Sequence, residues 1–427
     1  MSLLLTGGTV FLNGTFQAME IAIDQGHIVS VAPSLPREGF SVIELNDCVI
    51  VPGFVDVHVH LREPGFSYKE TITSGTKAAA HGGYTAVCAM PNLKPVPDSP
   101  DTLQPELRAI ARDAKIHVYP YGAITCGEKG QELADFAGLA PSVVAFSDDG
   151  KGVQSPDMMR RAMETAKALG KRIVAHCEDE SLLQKGWAVH DGEFARDHNL
   201  IGNNPESEWR QVERDIQLVR ETGCPYHVCH ISTKESVELV RKAKAEGLPV
   251  TCETAPHYLC LTDADLMDDG RFRMNPPIRT AQDRDALIAG LLDGTVDCIA
   301  TDHAPHAPQE KDKGLAGSLN GVVGLECAFP VLYTQLVLSG LVPLPTLLNA
   351  LCVNPRTIFG LPGGKLAEGE PADVTVLNLE RPHVISGEDF LSLGHATPFE
   401  GWGVCAAVAM TICDGEIVYA DLHQEDY

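Results

Sequence analysis

Gly53-Phe54-Val55-Asp56-Val57-His58-Val59-His60 is an apolar run that ends in two histidines. On a strand, residues i and i+2 share a face, so both imidazoles point the same way. Seven more short apolar runs follow: YTAVCAM (84–90), IHVYPYGAI (116–124), SVVAFS (142–147), KRIVAHC (171–177), PYHVCHI (225–231), LPVTCET (248–254) and VDCIATD (296–302). Helical patterns separate several of them. SPDMMRRAMETAKALG opens after Ser155 and stops at Gly170, and Ser232 with Glu235 reads as a capping box ahead of KESVELVRKAKAEG; both predict helices with defined ends. Eight β-α units in roughly 250–300 residues predict an α/β fold, a (β/α)8 barrel of TIM type. A doubly wound sheet is the alternative, because periodicity carries no strand order.

The chemistry lies in what ends these runs. The first ends in His58 and His60, the fourth leads into Asp148 and Asp149, the fifth ends in His176, the sixth in His230 and the eighth in Asp302. Barrels of this kind carry their active sites at the C-terminal ends of the strands. One histidine ending a buried strand is an ordinary packing residue; five such ends on one barrel mouth are not. His58-Val59-His60 alone is weak evidence of a metal site, and the later His and Asp residues strengthen it. Four imidazoles and two carboxylates suit zinc-like divalent ions and suffice for two of them. A pair of ions roughly 3.5–4 Å apart polarises a carbonyl and supplies hydroxide near neutral pH.

The two ends of the chain differ from the middle. LLLTGGTVFL and AMEIAIDQGHIVSVAP near the start, and PADVTVLNLE and CAAVAMTICDGEIVYA near the finish, read as short strands, with Asp414-Gly415 as a hairpin turn. They predict a small β-sandwich, a composite domain of residues 1–50 plus 361–427, around a metal-dependent barrel at 51–360. In a chain of 427 residues, 44% hydrophobic and 21% charged, both cores can be filled without disulfides. The 33 basic against 58 acidic residues give a charge of −25, a field that repels nucleic acid. No apolar run approaches the roughly 20 residues that span a bilayer, and the N-terminal segment lacks a basic region ahead of its apolar stretch, so neither membrane nor signal peptide is expected. Thirteen cysteines, an odd number with no C-x-x-C, are expected to be reduced thiols in the cytoplasm. Cys177, Cys229 and Cys252, beside polar strand ends, are the ones with a reactive alternative.

Taken together, DVHVHLREPG, Met90-Pro91-Asn92, AFSDDG, AHCED, HVCHIS, ETAPHYL, MNPPIR and TDHAPH, in that order, resemble the amidohydrolase superfamily. Within it the chain is similar to the dihydroorotases of the type I bacterial class, from about residue 50 to the end, and the N-terminal strands fit the same family's composite sheet domain. The resemblance implies zinc, one or two ions per chain. His58 and His60 would hold the more buried ion, and His176 and His230 the second. Asp149 would bridge them, with a carboxylated Lys151 as the alternative bridge. Asp302 would be both ligand and general acid/base. Arg62 would bind a substrate carboxylate; its alternative is an ion pair with Glu63 or Glu70. Asn92 and Asn275 match substrate-contacting asparagines, against a plain turn role, and His306 matches a further contact to the carboxylate. Gly321 matches a glycine whose backbone contacts substrate, although Asn320 stands where relatives often carry an apolar residue. His257 is expected to be structural.

The activity implied is reversible hydrolysis of a cyclic amide, (S)-dihydroorotate to N-carbamoyl-L-aspartate, in pyrimidine biosynthesis. The alternatives are allantoinase or hydantoinase chemistry, or a non-catalytic partner of aspartate carbamoyltransferase. Retention of every metal ligand counts against the last, and the absence of a lysine before the Asp pair counts against the first two. The expected partner is a small-molecule substrate, with homo-oligomerisation and association with aspartate carbamoyltransferase both compatible with the chain. Residues 304–321 read either as a solvated loop or as a flap that closes over substrate.

Overall fold

The computed structural model describes residues 2–422. Nine short strands make up the parallel array: β1 (Phe54–Val59), β2 (Tyr84–Ala89), β3 (His117–Pro120), β4 (Gly122–Ala123), β5 (Phe146–Ser147), β6 (Ile173–Ala175), β7 (Tyr226–Val228), β8 (Val250–Thr254) and β9 (Cys298–Ile299). The third predicted run supplies two of them, β3 and β4, on either side of Tyr121, whose N–H bonds back to Ala89 O at 2.9 Å. Each strand pairs in parallel with a chain neighbour, so the spatial order never reverses. A doubly wound sheet requires such a reversal. The end of the array returns to its beginning. His303 bridges Val59 in parallel, His60 N donates to His303 O at 2.8 Å, and Thr301 Oγ1 donates to Asp56 at 2.6 Å. The result is an α/β fold with parallel strands, of TIM-barrel type. All six residues of β1 are buried, because a parallel strand is covered on both faces.

The helix Pro156–Ala168 has the predicted ends: Ser155 Oγ accepts from Met158 N, and Gly170 has φ +68°. The second capping expectation needs correction. The helix Lys234–Ala245 is capped by Thr233, whose hydroxyl accepts from Ser236 N. Ser232 is diverted because its N–H and hydroxyl both donate to buried Glu208, on the helix Glu206–Thr222. A tertiary carboxylate outcompetes the local capping bond, and the cap moves on by one residue.

The termini build two sheets. One has the strands His27–Ala32, Glu20–Asp24, Leu3–Thr6 and Ser41–Glu44, and the other Glu416–Ala420, Gly403–Cys413, Val374–Val384, Cys48–Pro52, Thr9–Leu12 and Thr15–Ala18. Leu3, Ile21, Ile50, Val374 and Met410, drawn from both, share one buried cluster. Asp414 (φ +50°) and Gly415 (φ +75°) make the hairpin turn, with the two left-handed residues that type I′ demands. Buried Arg356 ties these sheets to the foot of β1 and β2, donating to Gly53 O at 2.8 Å, Thr85 Oγ1 at 2.8 Å and Asp373 Oδ2 at 3.1 Å. All thirteen cysteines are free, and Cys177, Cys229 and Cys252 are buried with their thiol pKa values pushed up by desolvation; inert packing is the reading that holds. Among the described residues no helix is long and apolar enough to cross a membrane.

Candidate active site

Five strand ends converge. His58 Nε2 lies 3.3 Å from Asp149 Oδ1 and 3.5 Å from Asp302 Oδ1, and His60 Nε2 lies 3.5 Å from Asp149 Oδ2 and 3.2 Å from Asp302 Oδ1. On the other side of Asp149 Oδ1 stand His176 Nδ1 at 3.8 Å and His230 Nε2 at 3.7 Å, themselves 3.0 Å apart. Two triads of buried donors therefore share Asp149: His58, His60 and Asp149, and Asp149, His176 and His230. Its neighbour Asp148 is spent elsewhere. Its carboxylate accepts from Ile124 N, Thr125 N and Thr125 Oγ1 and joins adjacent strands.

The donors fit divalent cations. His58 Nε2, His176 Nε2 and Asp149 Oδ1 are buried and have no hydrogen-bond partner, which costs about 1–3 kcal/mol per group unless something else satisfies it. His230 (φ +28°), Asp302 (φ +49°) and Arg62 (φ +61°) hold left-handed backbone conformations, strain of the kind concentrated at working sites. Burial opposes the charge on Asp302, but the hydrogen bond from His60 and the neighbouring His58 and His230 outweigh it and hold the carboxyl below its ordinary range. Asp149 is likewise held well below it, against burial, chiefly by His58 and His230.

A cavity of about 170 Å³ opens over the cluster, lined by His60, Arg62, Asn92, Asp149, His176, His230, Asn275, Asp302, Asn320 and Gly321 among others. Arg62 Nε donates to Pro305 O at 3.2 Å, and among the described residues no ion pair involves its guanidinium. The alternative partners are engaged elsewhere: Glu63 accepts from Ile72 N, and Glu70 from Ser74 and Ser392. Asn92 Nδ2 donates to Asp149 O at 2.6 Å and Asn275 Nδ2 to Glu178 Oε2 at 3.2 Å, which leaves both amide oxygens buried without a partner. Gly321 (φ +130°) lines the cavity where a Cβ would meet Ala304 O at 2.6 Å, so no other residue fits; its N–H is committed to Arg273 O and its carbonyl to Lys311 Nζ.

Three residues stand apart from the cavity wall. His58 lies fully buried behind it. His306 does not line it either, because its ring nitrogens face Lys69 Nζ at 3.0 Å and Asn320 O at 2.7 Å. Lys151 lies at the surface, 3.8 Å from Glu128. Residues 304–321 form two short helical turns, Pro308–Lys311 and Gly314–Gly317. Lys311 Nζ pins them by donating to Arg273 O, Leu319 O and Gly321 O.

Two further carboxylates belong to the site. Glu253, in β8, accepts from His58 Nδ1 at 2.7 Å and His227 Nε2 at 3.1 Å. That fixes the proton on Nδ1 of His58 and turns its Nε2 lone pair inward. Glu178 lies 3.7 Å from His176 Nε2 and accepts from Asn275. Each stands in or beside one of the eight runs, in LPVTCET and directly after KRIVAHC. That placement was the available signal. His257 is buried against Tyr258 and does not line the cavity; burial lowers its pKa to about 4.

Parallel strands in chain order, with a His/Asp cluster shared between two triads at their ends, define an amidohydrolase-type protein. A family model described as "Dihydro-orotase-like" matches residues 47–236. The chain is 49% identical over 423 residues to a dihydroorotase of Geobacillus sp. (strain WCH70), covering 98% of this chain and 99% of that one. It is also 49% identical over 426 residues to a dihydroorotase of Brevibacillus brevis, covering 99% and 100%. Among solved structures, the dihydropyrimidinase from Brevibacillus agri NCHU1002 superposes with a TM-score of 0.86 at 22% identity, over 98% of this chain and 95% of that one. The L-hydantoinase from Arthrobacter aurescens gives 0.86 at 24%, over 98% and 96%; both show the shared fold. The chain belongs to the dihydroorotase family.

Proposed function

We propose that the chain hydrolyses (S)-dihydroorotate reversibly to N-carbamoyl-L-aspartate, with His58, His60, Asp149, His176, His230 and Asp302 holding one or two zinc ions. The observation that carries this reading is that Asp302, held below its ordinary range by the neighbouring imidazoles, lines the same small cavity as Arg62, whose guanidinium makes no ion pair among the described residues. We read the parallel array as a closed (β/α)8 barrel over residues 51–360, and the terminal sheets as one sandwich of residues 1–50 plus 361–427.

Bound zinc supplies Lewis acidity, which polarises the scissile carbonyl and makes water acidic near neutral pH. The remaining work falls to side chains. Arg62 receives the ring carboxylate with its planar fork. The unpartnered amide oxygens of Asn92 and Asn275 match the two ring N–H groups of the substrate. Water adds to the ring carbonyl beside the methylene, and Asp302 takes its proton. The carbonyl–nitrogen bond breaks, and Asp302 delivers that proton to the departing nitrogen. Ring closure runs the same steps backwards.

The first experiment is turnover of L-dihydroorotate by the purified chain, with metal content measured on the same sample. Activity falls to background on chelation and returns with zinc; activity that survives complete metal removal sinks the proposal. Hydantoin and allantoin are expected to be poor substrates, because neither carries the carboxylate that Arg62 receives. Arg62→Ala raises KM by roughly 30–100-fold, equivalent to about 2–3 kcal/mol of charge-assisted bonding, while bound metal stays constant. Loss of metal instead would make Arg62 a structural residue.

A further inference from the structure

A second set of metal-type donors lies at the other end of the strands. His117 opens β3, and its Nε2 is 3.5 Å from Asp373 Oδ2 and 3.5 Å from Asp414 Oδ1. Cys413 completes the group: one ligand atom each from His117, Cys413 and Asp414 all lie within 4.8 Å of one another. These separations are long for N–H···O bonds, which run at about 2.7–3.2 Å, and one N–H cannot aim at both carboxylates. The His117–Asp414 separation matches two ligands on one tetrahedral ion. With bonds of about 2.0–2.3 Å to nitrogen, oxygen and sulfur, neighbouring ligand atoms stand roughly 3.3–3.6 Å apart. The catalytic cluster has the same spacing, 3.3 Å and 3.5 Å from His58 Nε2 to its two carboxylates.

We propose that His117, Cys413 and Asp414 form a separate site for a zinc-class divalent cation, which clamps the terminal sheets to the foot of the parallel strands. The donors come from two segments: the start of β3, and the end of the strand Gly403–Cys413 with the turn after it. Asp373 is held in place by Arg356 and by Asp414 N, each at 3.1 Å. One carboxylate and a thiolate bring two negative charges, which a divalent ion balances, while Asp373 pairs with Arg356. Binding converts the Cys413 thiol to a metal thiolate and releases its proton to solvent. A hollow of about 360 Å³, lined by His117, Cys413 and Asp414 among others, gives an ion access from solvent.

The test uses the whole chain with cobalt(II) in place of the native metal. A thiolate ligand produces an intense near-ultraviolet charge-transfer band, which imidazole and carboxylate ligands do not. The band is expected in the wild type and absent from Cys413→Ser. His117→Ala is expected to bind one ion fewer per chain by elemental analysis, with turnover of dihydroorotate unchanged. Equal metal content in wild type and His117→Ala, or a band that survives Cys413→Ser, would overturn the proposal. His117 is only half-buried, so the stoichiometry arm stands even where the cysteine variant fails to fold. Asp302→Asn keeps the band, so loss of catalysis and loss of this site read separately.

Discussion

Asp302→Asn lowers turnover by roughly 10²–10⁴-fold, the range over which general acid/base groups act, while the protein keeps its fold. The substitution preserves shape and removes charge. Asp302 is buried, with Oδ1 3.2 Å from His60 Nε2 and 3.5 Å from His58 Nε2. Burial disfavours its ionised form, but the imidazoles prevail and keep it a carboxylate at neutral pH. An amide cannot take a proton from water and hand it to a leaving nitrogen. Circular dichroism, metal content and single-turnover rates on one sample separate a lost proton carrier from a lost ligand. Turnover within about twofold of wild type would remove Asp302 from the mechanism.

Glu253→Ala destabilises the fold by about 3–5 kcal/mol, the cost of stripping one partner from a buried ionic network. Glu253 is fully buried, and its carboxylate receives His58 Nδ1 at 2.7 Å, His227 Nε2 at 3.1 Å and His230 N at 3.3 Å. The alanine leaves those donors without an acceptor and frees the His58 ring to turn, so metal affinity falls by roughly 10–100-fold as well. The acid limb of the stability profile changes with it. Burial raises the Glu253 pKa, but the hydrogen bonds and charges of His227 and His58 more than reverse this and bring it to about 2, from an ordinary 4.5. A depressed pKa gives stability that is present above 4.5 and lost as pH falls toward 2. The wild type is expected to lose that stability across the window, and the variant to lose less, having no carboxylate there. Urea unfolding at pH 7 and at points down to pH 3 checks both effects. Glu253→Gln, which keeps one acceptor, falls between. A variant with wild-type stability and metal affinity would show that the network is slack.

Much of this was legible along the chain because each feature is local. Strand ends show as apolar runs halted by His or Asp, since burial on both faces selects apolar residues until the strand leaves the core. Period two placed His58 and His60 on one side of β1. The turn at Asp414-Gly415 and the cap at Ser155 follow from backbone preferences that need no distant partner.

The rest depended on partners remote in sequence. Asp148 and Asp149 are adjacent and chemically identical; the resemblance points to Asp149, and the position of Thr125 shows why Asp148 is held away from the histidines. Ser232 had the spacing of a cap until Glu208, on another helix, claimed it. His306 and Lys151 carry suitable chemistry, but Lys69, Asn320 and Glu128 draw them off the cavity wall. Glu253 and Glu178 matter through the histidines and the asparagine they touch, and His117 meets Cys413 and Asp414 only because the chain's end folds back under the strands. Which residue types end which strands is written along the chain, whereas the place where each polar group spends its hydrogen bonds depends on the folded arrangement. The physical reason is that a buried donor or acceptor must be satisfied by whatever the fold brings within about 3 Å, and sequence distance carries no information about that.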